Sequence, residues 1–493
     1  MPFYMVCGIK KIDPFSVIFS HKDDKQEQLC YNDGKSPAAK GCDNMSKTFG
    51  VLLWFDVEDY ITPEADDALL GLLKMLERLG IRGTFKLVGE KGRVMAMRGR
   101  QDIFRLLARQ EVGYHTATHS LHPVPTEYLK DLGFAEGAAA FENREQEAFD
   151  TLTRLLGQQM TTYGQPGGSW ASQVFPVLRK WGVTSCLDAH SVLNLNGDAF
   201  WYGGLLQFTG LWATPRLDPG GDPDAAIREV DQLIQGERPF QFLSVYYHPC
   251  EFACNEFWDS VNFSHGKNST AWRPAATCSP EEMQRRIDGL ERYLTHLLHM
   301  GAVFLTASEA TALMQQSPLP PDGATLVKLA RQLNGRVTFA SKGKQSWSAA
   351  QLLQLLARYV CGLPLTAGDW YGPEEDCPTT CPNPVTLAQL GQAVLEQVDL
   401  VLGYPRIPNL YHLPYGDVSP VDAFATLAAA AGAHPDHPIP LRSGQFCCGD
   451  FVNPDSHWGG GWPIFHPDLE VPGILHHARL QTWTLRPAFV SWD

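Results

Sequence analysis

The densest chemistry in this 493-residue chain lies in EVGYHTATHSLHP, residues 111–123. A short apolar strand, Val112–Tyr114, runs into His115, then a polar turn, then His119 and His122. Histidines at i and i+4 share one face if the chain coils directly after the strand, so both imidazoles can reach a single ion. Upstream, the apolar run VLLWF at 51–55 ends in Asp56, Glu58 and Asp59. Two neutral imidazoles and a carboxylate form a donor set for a divalent cation that leaves positions open for water and substrate. His115 and His119 are the expected ligands, and His122 is expected to be structural. Along an extended strand Asp56 and Glu58 point to the same side.

These residues need a frame that brings strand ends together, and the pattern supplies one. After 51–55, Pro63 opens a helix whose leucines keep helical spacing up to Gly80, and GTFKLVG at 83–89 reads as the next strand. Helices around 102–109, 141–156, 173–181, 223–235 and 281–299 alternate with strands at 112–114, 161–163, 183–188, 241–247 and 302–307. Such alternation predicts βαβ units and a parallel sheet. Asp56, His115, Asp188 and His248 each stand where a strand ends, the edge at which parallel α/β folds bind ligands.

Composition narrows the partners. The net charge of −14 is spread along the chain, and no basic patch interleaves with aromatics, so neither nucleic acid nor an anionic membrane surface is expected. No apolar run reaches bilayer length, and the first residues lack a secretory pattern. The twelve cysteines are dispersed, as suits reduced thiols, and a cytoplasmic location is expected.

Four divisions are expected: a poorly structured extension at 1–44, a barrel at 45–316, a helical accessory region at 317–435, and a Trp/Gly/Pro-rich segment at 436–493. Within the third, 348–365 and 387–408 look like two copies of a helical unit, with another helix at 421–431. Their spacing resembles cell-wall-binding helical repeats. Tryptophans in the last segment would suit sugar stacking if exposed, or a loop-rich cap if buried.

FDVEDY (55–60), HTATHSLHP (115–123), YGQPGGSW (163–170) and VYYHP (245–249) occur in an order and spacing that resemble the polysaccharide deacetylase (NodB-homology, carbohydrate esterase family 4-like) superfamily. The resemblance covers roughly 48–312 and implies an α/β fold, a distorted (β/α) barrel. It also implies metal-dependent hydrolysis of an acetamido group on a sugar. It makes Asp56 the general base, Glu58 or Asp59 the metal carboxylate beside His115 and His119, and His248 the general acid. Asp188 is placed to orient His248, and Gly167 and Gly168 to stabilise an oxyanion. The implied cofactor is a divalent ion, zinc first, with cobalt, nickel or manganese also suited to these donors.

Two positions depart from the family pattern. Val57 stands where a second adjacent Asp is usual, and Gly164 stands where an Arg usually holds the catalytic Asp. Arg82 or Arg216 could supply that cation instead. The activity expected is hydrolysis of a non-peptide C–N bond in a glycan or small amide. A ureide or cyclic-amide hydrolase of the allantoinase-like branch and a non-catalytic glycan-binding barrel are the alternatives.

Overall fold

A run such as VLLWF has no polar position to present to water, so it must be covered on both faces. In a computed structural model, which describes residues 49–187, 189–195, 197, 199–209, 216–236, 242–314, 318–382 and 384–490, it forms the central strand of the sheet. The extension at 1–44 and Asp188 lie outside the described residues.

Among the described residues ten strands make one sheet. They are β1 (Phe49–Val57), β2 (Thr84–Leu87), β3 (Glu111–Tyr114), β4 (Thr162–Tyr163) and β5 (Ser185–Cys186), then β6 (Phe200–Tyr202), β7 (Leu205–Gln207), β8 (Phe242–Tyr247), β9 (Ala302–Leu305) and β10 (Arg486–Pro487). Their order is β10-β6-β7-β5-β4-β3-β2-β1-β8, with β9 also on β1. β1 pairs in parallel with β8 through 50–55, with β9 through 49–52 and with β2 through 54–57. Because β8 spans the stretches used by both β9 and β2, those two share the opposite edge of β1. The turn between β6 and β7 is Gly203–Gly204, both at positive φ, as a two-residue hairpin linking antiparallel strands requires. The sheet and its covering helices make the expected α/β fold, with the parallel strands β1 to β5 and β8 at its centre.

The period of two along β1 separates its faces. Val51, Leu53, Phe55 and Val57 belong to the main core with the helix Glu64–Leu79, and Phe55 stacks on Phe85. Leu52 and Trp54 point the other way, into an inner cluster with Trp201, Leu206 and Met314. Asp56 and Glu58 continue that inner face, above an apolar floor.

The accessory region differs from the all-helical expectation. Helices Gly323–Leu333, Ala349–Val360, Leu387–Glu396 and Pro420–Ala429 share a second core that includes Leu353, Leu390 and Phe424. Between them lie hairpins at 340–347, 399–406 and 411–418. A helix, one or more hairpins and a serine-capped helix thus follow one another at 323–360, with one hairpin, and again at 387–429, with two, a frame other than 348–365 matched to 387–408. Ser348 and Ser419 cap equivalent second helices by accepting from the N–H of Gln351 and Asp422.

The last segment does not stand apart. β10 pairs antiparallel with β6, Trp462 and Phe465 lie in the main core, and Trp483 lies in the second core. These aromatic side chains find enough apolar surface only by packing into both cores. No helix among the described residues is long and apolar enough to cross a membrane.

Candidate active site

Glu58 follows the last residue of β1 on its inner face and is 2 % exposed. Its Oε2 lies 3.3 Å from His115 Nε2 and 3.0 Å from His119 Nε2, while Oε1 accepts from Trp258 Nε1 at 2.9 Å. Both imidazoles are anchored through their other nitrogen. His115 Nδ1 lies 2.8 Å from the Gly164 carbonyl, which can only accept, so Nδ1 carries a hydrogen and Nε2 is the nitrogen turned to Glu58. His119 Nδ1 lies 2.7 Å from Ser120 Oγ, which donates onward to Asp259 at 3.4 Å. The two distances from Glu58 Oε2 suit one cation, since a tetrahedral shell with bonds of about 2.1 Å has edges of about 3.4 Å, and all three donor atoms lie within 4.8 Å of one another.

The histidines do not converge as the i, i+4 argument supposed. No helical turn forms after β3; Thr116 and His119 instead take left-handed backbone at φ 63° and 55°. Side-chain-bearing residues adopt that region only when their surroundings compel it, and here it folds the loop back so that the rings approach at 4.8 Å.

Asp59 does not join the cluster. Its Oδ1 accepts from the N–H groups of Ile61 and Thr62 at 3.0 and 2.9 Å, closing the turn that leads into the helix Glu64–Leu79. Asp56 does face inward, with Oδ1 3.8 Å from His115 Nε2 and 2.9 Å from the ammonium of Lys86. Neither expected arginine reaches it. Arg82 pairs with Glu309 at the surface, and Arg216 binds Glu251 and the Tyr246 carbonyl.

His248 follows β8, with Nε2 3.8 Å from Asp56 Oδ2 and 3.9 Å from Glu58 Oε2. The carboxylate beside its Nδ1 is Glu251, at 3.2 Å, which Arg216 holds at 2.9 Å on its other oxygen. Burial alone would push the Glu251 carboxyl up, but the charges of Arg216 and His248 outweigh it and hold it down to about 2. Burial likewise opposes charge on His248, yet Glu58, Glu251 and Asp56 raise its imidazolium to about 9. For Glu58 the facing imidazoles overcome burial, leaving its carboxyl well below the usual range. Asp259, by contrast, is pushed up to about 6 by burial and the neighbouring Glu58 charge.

Gly167 and Gly168, expected to stabilise an oxyanion, are packed against the C-terminal segment. A Cβ on Gly167 would meet the Trp462 indole at 2.3 Å, and one on Gly168 would meet Phe465 at 3.3 Å. Trp462 also stands edge-on to the His119 ring at 5.7 Å. The smallness of these glycines thus has a packing cause.

Sequence reasoning missed Lys86, Glu251, Trp258 and Trp462. Two carried a signal. A lysine within an otherwise apolar buried strand, as in TFKL, needs a charged partner, and a Glu three residues after His248 is placed to return to it. The two tryptophans approach from far along the chain and carried none.

No family model matches the sequence, and no curated protein matches it. Among solved structures, the chain is similar to a CE4 family pseudoenzyme from Bacillus anthracis, at 15% identity over 54% of this chain and 66% of that one, with a TM-score of 0.30. A family 4 carbohydrate esterase from Streptomyces lividans, in complex with acetate, matches at 15% identity over 52% of this chain and 91% of that one, with a TM-score of 0.30. A CE4 esterase from Streptococcus mutans matches at 14% identity over 53% and 87%, with a TM-score of 0.31.

Proposed function

We propose that this chain is a metal-dependent hydrolase of a non-peptide C–N bond that removes the acetyl group from an N-acetylated sugar or a related small amide. The observation that carries the reading is the meeting of Glu58, His115 and His119 at one point, with Asp56 and His248 beside it and 3.8 Å from each other. Glu58, His115 and His119 would hold the cation. A divalent ion bound there supplies Lewis acidity towards an acyl oxygen and lowers the pKa of water. Zinc is the first choice for two nitrogens and one carboxylate, and cobalt, nickel and manganese suit the same donors.

The chain's own groups then divide the proton work. Asp56 turns Oδ2 towards His248 and would accept the proton of the attacking water. His248, kept protonated by the carboxylates around it, would deliver a proton from Nε2 to the departing nitrogen. Glu251 fixes that ring through Nδ1, and Arg216 keeps Glu251 charged.

Acetate release from a panel of N-acetylated sugars and small amides, with and without chelator, tests the reading. Release that stops on chelation and returns with added zinc is expected. Turnover of cyclic amides without acetate would instead favour the ureide hydrolase. Glycan affinity with no turnover at full metal loading would favour a binding protein.

A further inference from the structure

We infer that Lys86 is the cationic partner of Asp56, delivered from β2 into the volume that a side chain at position 164 would otherwise fill. β2 is buried throughout, with Phe85 and Leu87 in the main core, so Lys86 points inward. It stands in register with Asp56 on β1 and with Gly113 on β3. Its side chain is 0 % exposed, its Nζ lies 2.9 Å from Asp56 Oδ1, and the same ammonium sits 4.0 Å above the Trp54 ring. An ammonium withdrawn this far from water is strongly unfavourable unless it is paired.

The neighbouring strands are cut away around it. A Cβ at Gly164 would lie 2.1 Å from Lys86 Nζ and 2.6 Å from its Cδ. A Cβ at Gly113 would lie 3.2 Å from Lys86 Cγ and 2.5 Å from Thr162 Cγ2. No side chain fits at 164 while Lys86 keeps this path. The absence of a side chain at position 164 and the lysine at 86 therefore go together: the ammonium fills the volume beside Gly164 and enters it from β2. By holding Oδ1, Lys86 leaves Oδ2 facing His248. It acts through Asp56 and is a positioning residue.

The catalytic half of this inference rests on reading Asp56 as the base; the pairing does not. The test compares the full chain with Lys86→Met, Asp56→Asn, both together, Gly164→Arg, Lys86→Ala, and Lys86→Ala with Gly164→Arg. Thermal midpoints, zinc content, and kcat and KM for acetate release are read on each. Lys86→Met keeps the length of the side chain and is expected to bind zinc as the wild type does. It should lower kcat about a hundredfold with KM changed by less than about threefold. Its midpoint loss and that of Asp56→Asn should add to more than the loss in the double variant.

Gly164→Arg alone should destabilise, because two cations then compete for one volume. In the Lys86→Ala background the same arginine should restore stability and recover at least about tenfold of the lost kcat. Additive midpoints, or an arginine at 164 that is as harmful in the Lys86→Ala background as in the otherwise wild-type chain, would overturn the pairing. An active wild type whose kcat is unchanged by Lys86→Met would overturn the positioning role. A wild type that turns over no amide, with midpoints that couple and an arginine that restores stability, would remove Asp56 as base and support the ion pair.

Discussion

His115 and His119 approach Glu58 Oε2 at 3.3 and 3.0 Å and His248 approaches it at 3.9 Å, and what sets the pair apart from the third ring is the partner of Nδ1. For the pair the partners are a carbonyl and a hydroxyl, those of Gly164 and Ser120. For the third ring it is the carboxylate of Glu251, backed by Arg216. A neutral acceptor fixes the ring hydrogen on Nδ1 and leaves Nε2 a lone pair to offer a cation. A carboxylate rewards a ring protonated on both nitrogens. The same side chain, withdrawn from water in each case, is thus suited on the proposed reading to donate to a metal or to carry a proton according to one neighbour.

The largest way to break the contrast is to remove the donor side. His115→Ala or His119→Ala should abolish stoichiometric zinc, read by elemental analysis, and cut acetate release at least about a thousandfold. Next is the acid side: Glu251→Gln should retain zinc and lower the rate at pH 8 by about ten- to a hundredfold. The sign follows from the group involved. His248 works as an acid while protonated, which the present neighbours extend to about 9. Loss of one carboxylate shifts the alkaline limb of the kcat profile to lower pH, and an unmoved limb would discard Glu251 as the group that sets it.

A third difference lies beneath the donor loop. Glu145 accepts from the Tyr114 hydroxyl at 2.6 Å and from the Ala117 N–H at 2.7 Å, bracing the turn that carries His115 and His119. Burial pushes its carboxyl from 4.5 up to about 7. An acid raised on folding contributes stability in full below its unfolded value and loses it as pH rises through the folded one. Between about pH 4.5 and 7 this group should therefore cost on the order of 3 kcal/mol as pH increases. Glu145→Gln keeps an acceptor for both donors, so urea midpoints measured across that window should flatten. The smallest effect belongs to Asp59→Asn, whose amide oxygen can still accept from Ile61 and Thr62. Zinc content should be unchanged and stability within about 1 kcal/mol, whereas Glu58→Gln should lose the metal.

Much of the frame was legible because burial leaves short-range traces. An unbroken apolar run marked β1, helical leucine spacing marked the helix Glu64–Leu79, and Gly80 closed that helix with φ 66°. That Glu58, His115, His119 and His248 come together was legible from residue type and strand-end position. The site was less legible where two adjacent acids competed. Glu58 and Asp59 differ by one position, and their separation depends on which backbone N–H groups the turn leaves free. The accessory repeat was read in the wrong frame because its hairpins are three residues to a strand, too short for an alternating pattern to emerge.

Local pattern alone settled the alternation of strand and helix and the inward phase of Asp56 and Glu58, since each follows from periodicity and residue chemistry over a few neighbours. Contacts between distant parts of the chain settled the rest. Lys86 rather than an arginine faces Asp56, Arg216 holds Glu251, and Trp462 covers the glycine loop. Charge pairing and packing act through space over a few ångströms, whatever the separation along the chain, so no window of sequence contains both partners of such a choice.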